Sequence, residues 1–471
     1  MSKLVRIAVV AALGLFSFAQ AQNDSGKGGK VILPDGLTLK PHGYAHFEAG
    51  EIENGTLNSA AAGNIGTSSS DFKIDHIWTD DADVELGFLA TYKEHLTMDF
   101  SLGAKLYFSY PLISGQKYTK YLRQDIYLDQ LYAQYHFGEA DMPWLLAKVG
   151  YFKFKYNPEG VNFGDYLFRT GTYPIYFDMT FDAPWQRLLG INVESNLFKS
   201  LKLDLLFTSA TSFPSMNWSL SALASYDIAA LHFVNIGAGV DFAHLIDVYT
   251  DHTFTGLGGD PTSFHDISSN KLYVQNGDTS WYTFKGTKIM ARISIDPKAF
   301  IKWKYFGKND LKLYGEADLI GVENYPDSGM AIQGGPLELV APSYNNRFEK
   351  TPIMVGFGIP TFKALDNLNF ELEYFGAKYL NDATMVMNKG NSPMPNDVDW
   401  MNGTSPHPTK SPWKWSVYAK RSFFNEHFAI TGQIGRDHMR LQCASYNDEI
   451  WNELLVENGD WWWALKTSWM F

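Results

Sequence analysis

The last eleven residues, Trp461 to Phe471, restrict the fold more than any other stretch of the chain. Read by alternate positions, Trp461, Trp463, Leu465, Thr467, Trp469 and Phe471 make one face; Trp462, Ala464, Lys466, Ser468 and Met470 make the other. Side chains alternate across a strand, so the segment reads as a strand with a mostly apolar, aromatic-ended face backed by a smaller, more polar one. Its length suits a tilted strand crossing a bilayer. Chain ends usually fray, so a rigid aromatic strand that stops on the final residue is out of place in a soluble domain.

The N-terminus agrees with a membrane destination. Lys3 and Arg6 precede an apolar run from Ile7 to Ala19, and Ala19-Gln20-Ala21 has the small-x-small form of a cleavage site. Residues 1–21 therefore read as a secretory signal peptide, 22–36 as an N-terminal linker and 37–471 as a single domain. The apolar run is too short for a membrane-spanning helix, and no Cys follows the cleavage site to support lipoprotein processing. The rest of the chain has no apolar run long enough for a membrane helix, yet aromatics make up 15% and there are 40 glycines. Aromatic girdles and glycine-relieved strands raise both counts in transmembrane barrels. The single Cys443 rules out an intrachain disulfide framework, and no cofactor is expected. Removing Lys3 and Arg6 from the 39 basic residues leaves 37 against 51 acidic ones, a net charge of −14, which argues against nucleic acid as a partner.

Two-faced stretches recur along the whole chain. Between the turn at Lys93-Glu94-His95 and residue 108, Leu96, Met98, Phe100, Leu102, Ala104 and Leu106 alternate with Thr97, Asp99, Ser101, Gly103, Lys105 and Tyr107. Strands are expected at about 37–50, 71–92, 96–108, 125–137, 144–155, 186–197, 201–209 and 217–226. A second set follows at about 231–244, 283–295, 310–322, 352–361, 368–379, 412–422, 427–440 and 460–471. Their links alternate between short, as at 138–143 or 423–426, and long, as at 51–70, 245–282 or 380–411. That one-sided alternation predicts an all-β, transmembrane antiparallel barrel of about sixteen strands (fourteen to eighteen bracket the count), with short periplasmic turns and long outer loops. Two links fit less well: 210–216 is short for an outer loop, and 296–309 is long for a periplasmic turn.

With Trp469 and Phe471 at its end, the chain resembles the Gram-negative outer-membrane β-barrels, whose closing strand ends in Phe and is read by the assembly machinery. It departs from that pattern at Lys466, where a Gly is usual, and at Ala464, where a polar residue is usual. The run Gly150-Tyr151-Phe152-Lys153, followed by a proline-bearing loop, is similar over about 35 residues to phosphate-selective and related substrate-specific porins. The resemblance implies an outer-membrane location, contact with the lipid bilayer and lipopolysaccharide, passage of small hydrophilic solutes, and a homotrimer. It also implies that the third outer loop, about 156–185, folds inward and narrows the pore, which nominates Asp165, Arg169, Asp178 and Asp182 as constriction residues.

Sixteen strands leave an aqueous channel where eight enclose little more than their own side chains. Charges are costly facing lipid and cheap facing a wet lumen, so Asp99, Lys105, Glu194, Asp204, Asp241, Glu316, Asp318, Glu371, Glu373, Lys414 and Lys420 are expected to line it. They would otherwise form internal salt bridges or solvate a plugged interior. Lys148 has the opposite parity from Lys153 and Lys155, which predicts that the three do not all face inward. Tyr44, Tyr107, Tyr314, Tyr418 and Trp462 share the polar parity and invite a carbohydrate reading, against the plainer one that they fill the lumen or its rims. Catalysis has little support, since no spacing of His42, His46, His95 or His438 singles out a nucleophile with its base. His42 and His46 share a face but fall short of a metal site. Asp80-Asp81-Asp83 and Asp448-Glu449-Glu453 read as solvated outer-loop charge with calcium as the sharper alternative. A different class is a binding or structural barrel whose outer aromatics (Trp281, Trp400, Trp451, Tyr325, Tyr344) engage a surface glycan or protein.

Overall fold

The computed structural model describes residues 31–32, 36–57, 72–109, 121–139, 142–168, 186–198, 200–210, 218–228, 231, 233–246, 271–275, 278–282, 286–301, 303–322, 347–376, 411–439, 455 and 457–471. Its first four long strands are β1 (Leu37–Leu57), β2 (Phe72–Tyr92), β3 (Leu96–Ser109) and β4 (Tyr121–Glu139). Next come β5 (Met142–Phe154), β6 (Gln186–Phe198), β7 (Leu201–Ala210) and β8 (Trp218–Asp227). The second half holds β9 (Val234–Ile246), β10 (Gly286–Ile295), β11 (Leu313–Leu319) and β12 (Ile353–Gly358). The series ends with β13 (Asn367–Tyr374), β14 (Trp413–Phe423), β15 (Phe428–Arg436) and β16 (Trp461–Met470). The main sheet has seventeen strands, one of which is the two-residue Val31–Ile32 lying on β1; the other sixteen pair antiparallel with their chain neighbours. β16 pairs in turn with β1, from Trp461 opposite Asn54 to Met470 opposite Tyr44, so the sheet has no edge. It is a closed, sixteen-stranded antiparallel barrel.

The closing seam is built on the terminal residue. Gly43 donates its N–H to the Phe471 carbonyl at 2.9 Å, and Phe471 donates back to the Gly43 carbonyl at 3.1 Å. The Phe471 ring occupies the space that a Cβ on residue 43 would need, so a larger residue there would displace the ring. Lys466, which departs from the usual terminal pattern, is buried inside the barrel opposite Glu48 and Thr431 in the ladders.

Burial is inverted relative to a water-soluble protein. On β2, Leu86 and Phe88 are 51% and 58% exposed, while Asp81 and Asp83 are 6% and 7% exposed. β3 repeats this, with Met98, Phe100 and Leu102 outside and Asp99, Ser101 and Lys105 inside. β13 does the same, with Phe370 outside and Asn369, Glu371 and Glu373 inside. A continuous exposed apolar band around a polar interior is stable only where hydrocarbon meets the outside, which defines a transmembrane barrel. No helix among the described residues is long and apolar enough to cross a membrane.

The boundaries differ from expectation where tertiary contacts intervene. β1 continues to Leu57 rather than stopping near residue 50, because buried Ile52 sits opposite Ile77 on one side and Trp462 on the other. Val31–Ile32 pairs with β1 inside the stretch expected as linker. Within the expected loop 245–282, Lys271–Gln275 and Asp278–Tyr282 pair as a separate hairpin. The turn between β10 and β11, long for its side, is an ordered unit. Its buried Asp310 carboxylate accepts N–H groups of Gly307, Thr361 and Phe362 at 2.8 to 3.2 Å, tying this turn to the next one. β11 accordingly starts at Leu313 rather than near residue 310.

Candidate functional site

The described chain directly beyond β5, as far as Phe168, stays within the barrel. From Lys155 to Phe168 it turns into the interior and is held against the far wall by carboxylates of β11 and β13. Glu371 accepts the backbone N–H groups of Val161, Asn162 and Phe163 at 2.7, 2.8 and 3.0 Å, together with the Tyr314 hydroxyl at 2.8 Å. Glu316 accepts Asn157 Nδ2 and the Tyr156 hydroxyl, both at 2.5 Å, and the N–H groups of Asp165 and Tyr166 at 3.1 and 3.2 Å. Glu373 takes the Tyr166 hydroxyl at 2.6 Å and lies 2.8 Å from His438 Nε2. A lone buried carboxylate would be costly, and here each one is met by donors from the segment it holds.

Local chemistry shapes the segment for this seat. Gly164 has φ +94°, and a Cβ there would stand 2.9 Å from Glu316 Oε2. Asp165 follows with φ 56°, and its Oδ1 accepts the N–H groups of Tyr156 and Asn157 at 3.1 and 3.0 Å, closing the turn on itself. Apolar contacts complete the attachment. Phe163 and Tyr166 pack with Tyr314, Ile320, Met354 and Phe375, while Tyr156 and Leu167 pack with Phe152, Leu188, Leu206, Leu223 and Met290. Lys288 donates to the Leu167 carbonyl at 3.2 Å, and Asn162 Nδ2 donates to Asp437 at 2.9 Å. Just beyond β15, the Asp437 carboxyl is pushed above its ordinary range by burial, with Asn162 and Lys414 opposing the rise.

The wall from β1 to β7 uses its charges differently, pairing them with one another. Asp81 lies 2.9 Å from Lys105 and 2.7 Å from His46; Asp99 lies 3.0 Å from His42. Asp129 is held by Lys153 and Arg187, each at 2.8 Å, and both cations also approach Glu85. Tyr127 donates to Asp83 at 2.5 Å, and Lys202 pairs with Glu194 at 2.9 Å and with Asp204 at 3.5 Å.

All eleven charged residues nominated for the lumen lie on the inner face or at its rim, Glu194 among them through its pair with Lys202. Asp99, Lys105, Asp204, Asp241, Glu316, Asp318, Glu371, Glu373 and Lys414 are buried there, and Lys420 lines an interior cavity. Of the constriction residues, Asp165 braces the infolded segment, and Arg169, Asp178 and Asp182 lie outside the described residues. The parity argument about lysines fails. Lys148 lies over the rings of Tyr132 and buried Phe152, Lys153 reaches Asp129 and Glu85, and Lys155 donates to the Gly160 carbonyl, so all three ammonium groups reach inside. The ladder between β4 and β5 ends at Leu131 opposite Tyr151, although β5 stays paired with β6 as far as Phe154.

His42 and His46 face separate carboxylates rather than a shared ion. Asp80, Asp81 and Asp83 belong to β2 and not to an outer loop, and Asp81 and Asp83 are engaged inside the barrel; Asp448, Glu449 and Glu453 lie outside the described residues. Tyr314, Tyr418 and Trp462 are buried inside. Sequence reasoning missed Tyr156, Asn157, Asn162, Tyr166, Lys288 and His438, whose roles depend on a segment crossing to a distant wall. It also missed Glu51, Glu53 and His76, where the β1–β2 hairpin brings the histidine to 3.2 and 3.3 Å from the two carboxylates.

Beneath the infolded segment, at the end of the barrel that carries the tight turns, lies a cavity of about 650 Å³. Segment residues 158–161 line it from above, and the turns after β10, β12 and β14 line it from below.

No family model matches the chain, and no curated protein matches it. Among solved structures, a mutant of Rhodopseudomonas blastica porin is similar at 8% identity and TM-score 0.37, covering 92% of this chain and 100% of that one. The high-pH structure of Pseudomonas putida OprB is similar at 10% identity and TM-score 0.45, covering 93% of this chain and 95% of that one. Likeness at this level carries no weight of its own; the barrel assignment stands on the closed ladder and the inverted burial.

Proposed function

We propose that the protein is an outer-membrane porin of a Gram-negative-type bacterium: a water-filled channel for passive diffusion of small hydrophilic solutes, sugars among them. The observation that carries this reading is the combination of a sixteen-strand wall with a charged inner face and a segment, Lys155–Phe168, bonded across the interior. A barrel of that strand number encloses more space than its own side chains fill, and an ordered segment inside reduces the opening to one that discriminates by size and charge. Within this reading the infolded loop at about 156–185 forms the constriction, with Asp165 bracing it and Arg169, Asp178 and Asp182 further along it. Trp469 and Phe471 are the terminal signal for the outer-membrane assembly machinery, the apolar band meets the bilayer and lipopolysaccharide, and the functional unit is a homotrimer. Reconstitution in a planar bilayer tests the channel directly. Discrete ion steps, with liposome swelling by small sugars, are expected; silence in both assays, with tight binding of a surface glycan or protein, would transfer the barrel to the binding class.

A further inference from the structure

The outer face of the barrel carries a group of side chains that neither the inner wall nor the infolded segment uses. Near the loop end of the first hairpin, Glu51 stands between Trp463 on β16 and Trp78 on β2 in the two ladders. The rings of those tryptophans meet edge to face, 5.8 Å apart. One step further out, Glu53 and His76 fall between the pairs Ile52–Ile77 and Asn54–Asp75. The alternate residues Ile52 and Ile77 are buried, so Glu51, Glu53 and His76 point away from the lumen. Charges are costly against hydrocarbon and tryptophans favour the interface, so this row marks the outer edge of the apolar band.

Three ligating groups converge there. His76 Nδ1 lies 3.2 Å from Glu51 Oε1 and 3.3 Å from Glu53 Oε2, and donor atoms of the three residues lie within 4.8 Å of one another. Donors of a four-coordinate zinc ion, each about 2.0–2.2 Å from the metal, stand about 3.3–3.5 Å from each other. The two His76 separations are already of that length. An imidazolium would cancel only one of the two carboxylate charges, whereas a divalent cation cancels both. Trp463 Nε1 donates to Glu53 Oε1 at 2.9 Å, which fixes that carboxylate and leaves Oε2 turned to His76. Ligating carboxylates are commonly oriented by such an outer donor. The lysines of these two strands serve elsewhere: Lys73 donates to Thr56 and lies 3.6 Å from Asp460, and Lys40 is level with Leu89 at the other end. The His76 side chain is 73% exposed, so the group is reachable from outside.

We infer that Glu51, Glu53 and His76 form a binding site for a zinc-type divalent cation on the outer rim of the barrel, with a fourth position open to water. An imidazole beside two carboxylates selects zinc, nickel or copper over calcium and magnesium, which take oxygen ligands. The ion clamps the outward part of β1 to β2. The site stands apart from conduction, because its donors lie outside the wall.

The test uses the mature chain refolded in detergent, stripped of metal and titrated with zinc chloride by calorimetry. One tight equivalent is expected to bind, and zinc is expected to raise the temperature at which heat-resistant gel mobility is lost. His76→Ala should weaken binding at least about tenfold and abolish that rise, and Glu53→Gln should weaken binding as well. Trp463→Phe keeps a ring on the outer face but removes the donor to Glu53, and should cost about tenfold in affinity. His427→Ala removes another exposed histidine, at the turn end, and should leave binding in place. X-ray absorption on the zinc-loaded barrel should show one imidazole among oxygen neighbours at about 2.0–2.2 Å. No heat from zinc, equal affinity in His76→Ala, or displacement of zinc by calcium overturns the site. A sulfur neighbour overturns it too, because it assigns the ion to Cys443.

Discussion

The two halves of the barrel wall place similar side chains inside and use them for different ends. From β1 to β7 the inner charges satisfy one another across neighbouring strands, as Asp81 does with Lys105 and His46, and Asp129 with Lys153 and Arg187. From β11 to β13 the carboxylates face outward from the wall into the interior and take backbone N–H groups and hydroxyls from another part of the chain. The first arrangement stiffens the wall; the second fastens an object inside it. Inward placement therefore says where a charge is tolerated, and only its partner says what it does.

That contrast can be broken by mutation. The largest effect is expected from Glu316→Ala combined with Glu371→Ala, which strips acceptors from five backbone N–H groups of the segment. Hydrogen bonds to charged groups contribute about 1.5–3 kcal/mol each, so the attachment should lose more than about 3 kcal/mol and the channel should open severalfold in conductance. Planar-bilayer recordings and swelling assays with larger sugars measure it, and conductance equal to that of the unaltered protein would dissolve the distinction between the halves. Lys105→Met should act on stability rather than gating. It leaves buried Asp81 with His46 alone, at a cost of about 3 kcal/mol, visible as a lower temperature for loss of heat-resistant gel mobility, with single-channel conductance retained.

Smaller changes sharpen the same comparison. Tyr166→Phe removes one hydroxyl bond to Glu373, worth about 1 kcal/mol, and should raise the frequency of brief high-conductance openings without changing the main level. Arg187→Ala should do least. Its side chain is 32% exposed and Asp129 keeps Lys153, so the loss should stay below about 1 kcal/mol, with conductance within the scatter of the unaltered channel. A larger gating effect from Arg187 than from Tyr166 would reverse the assignment of the two walls.

Much of the architecture was legible because strands of a membrane barrel obey one local rule. Each of the sixteen expected strands overlaps an observed one, since alternation between lipid and lumen is written into every strand independently of its neighbours. The errors lie where that rule lapses. The Gly-, Asn- and Ser-rich residues after Gly50 have the pattern of a loop, yet β1 runs through them because Ile52 meets Ile77 and Trp462. The opposite parity of Lys148 and Lys153 does not keep Lys153 from the interior, where its ammonium meets Asp129 and Glu85. The 296–309 link is long for a turn because Asp310, just beyond it, gathers donors from the following turn, 51 and 52 residues away.

The sequence by itself determined the barrel: strand positions, the even count, the polar inner parity and the aromatic terminus follow from side-chain alternation, which is local. Tertiary structure alone decided which inner charges are spent on one another and which hold Lys155–Phe168. Those outcomes depend on groups brought together across the interior, such as Asn162 with Asp437 and Val161 with Glu371, separated by 275 and 210 residues. No local pattern encodes such a meeting, because hydrogen bonds and fields act over ångströms in space and are indifferent to distance along the chain.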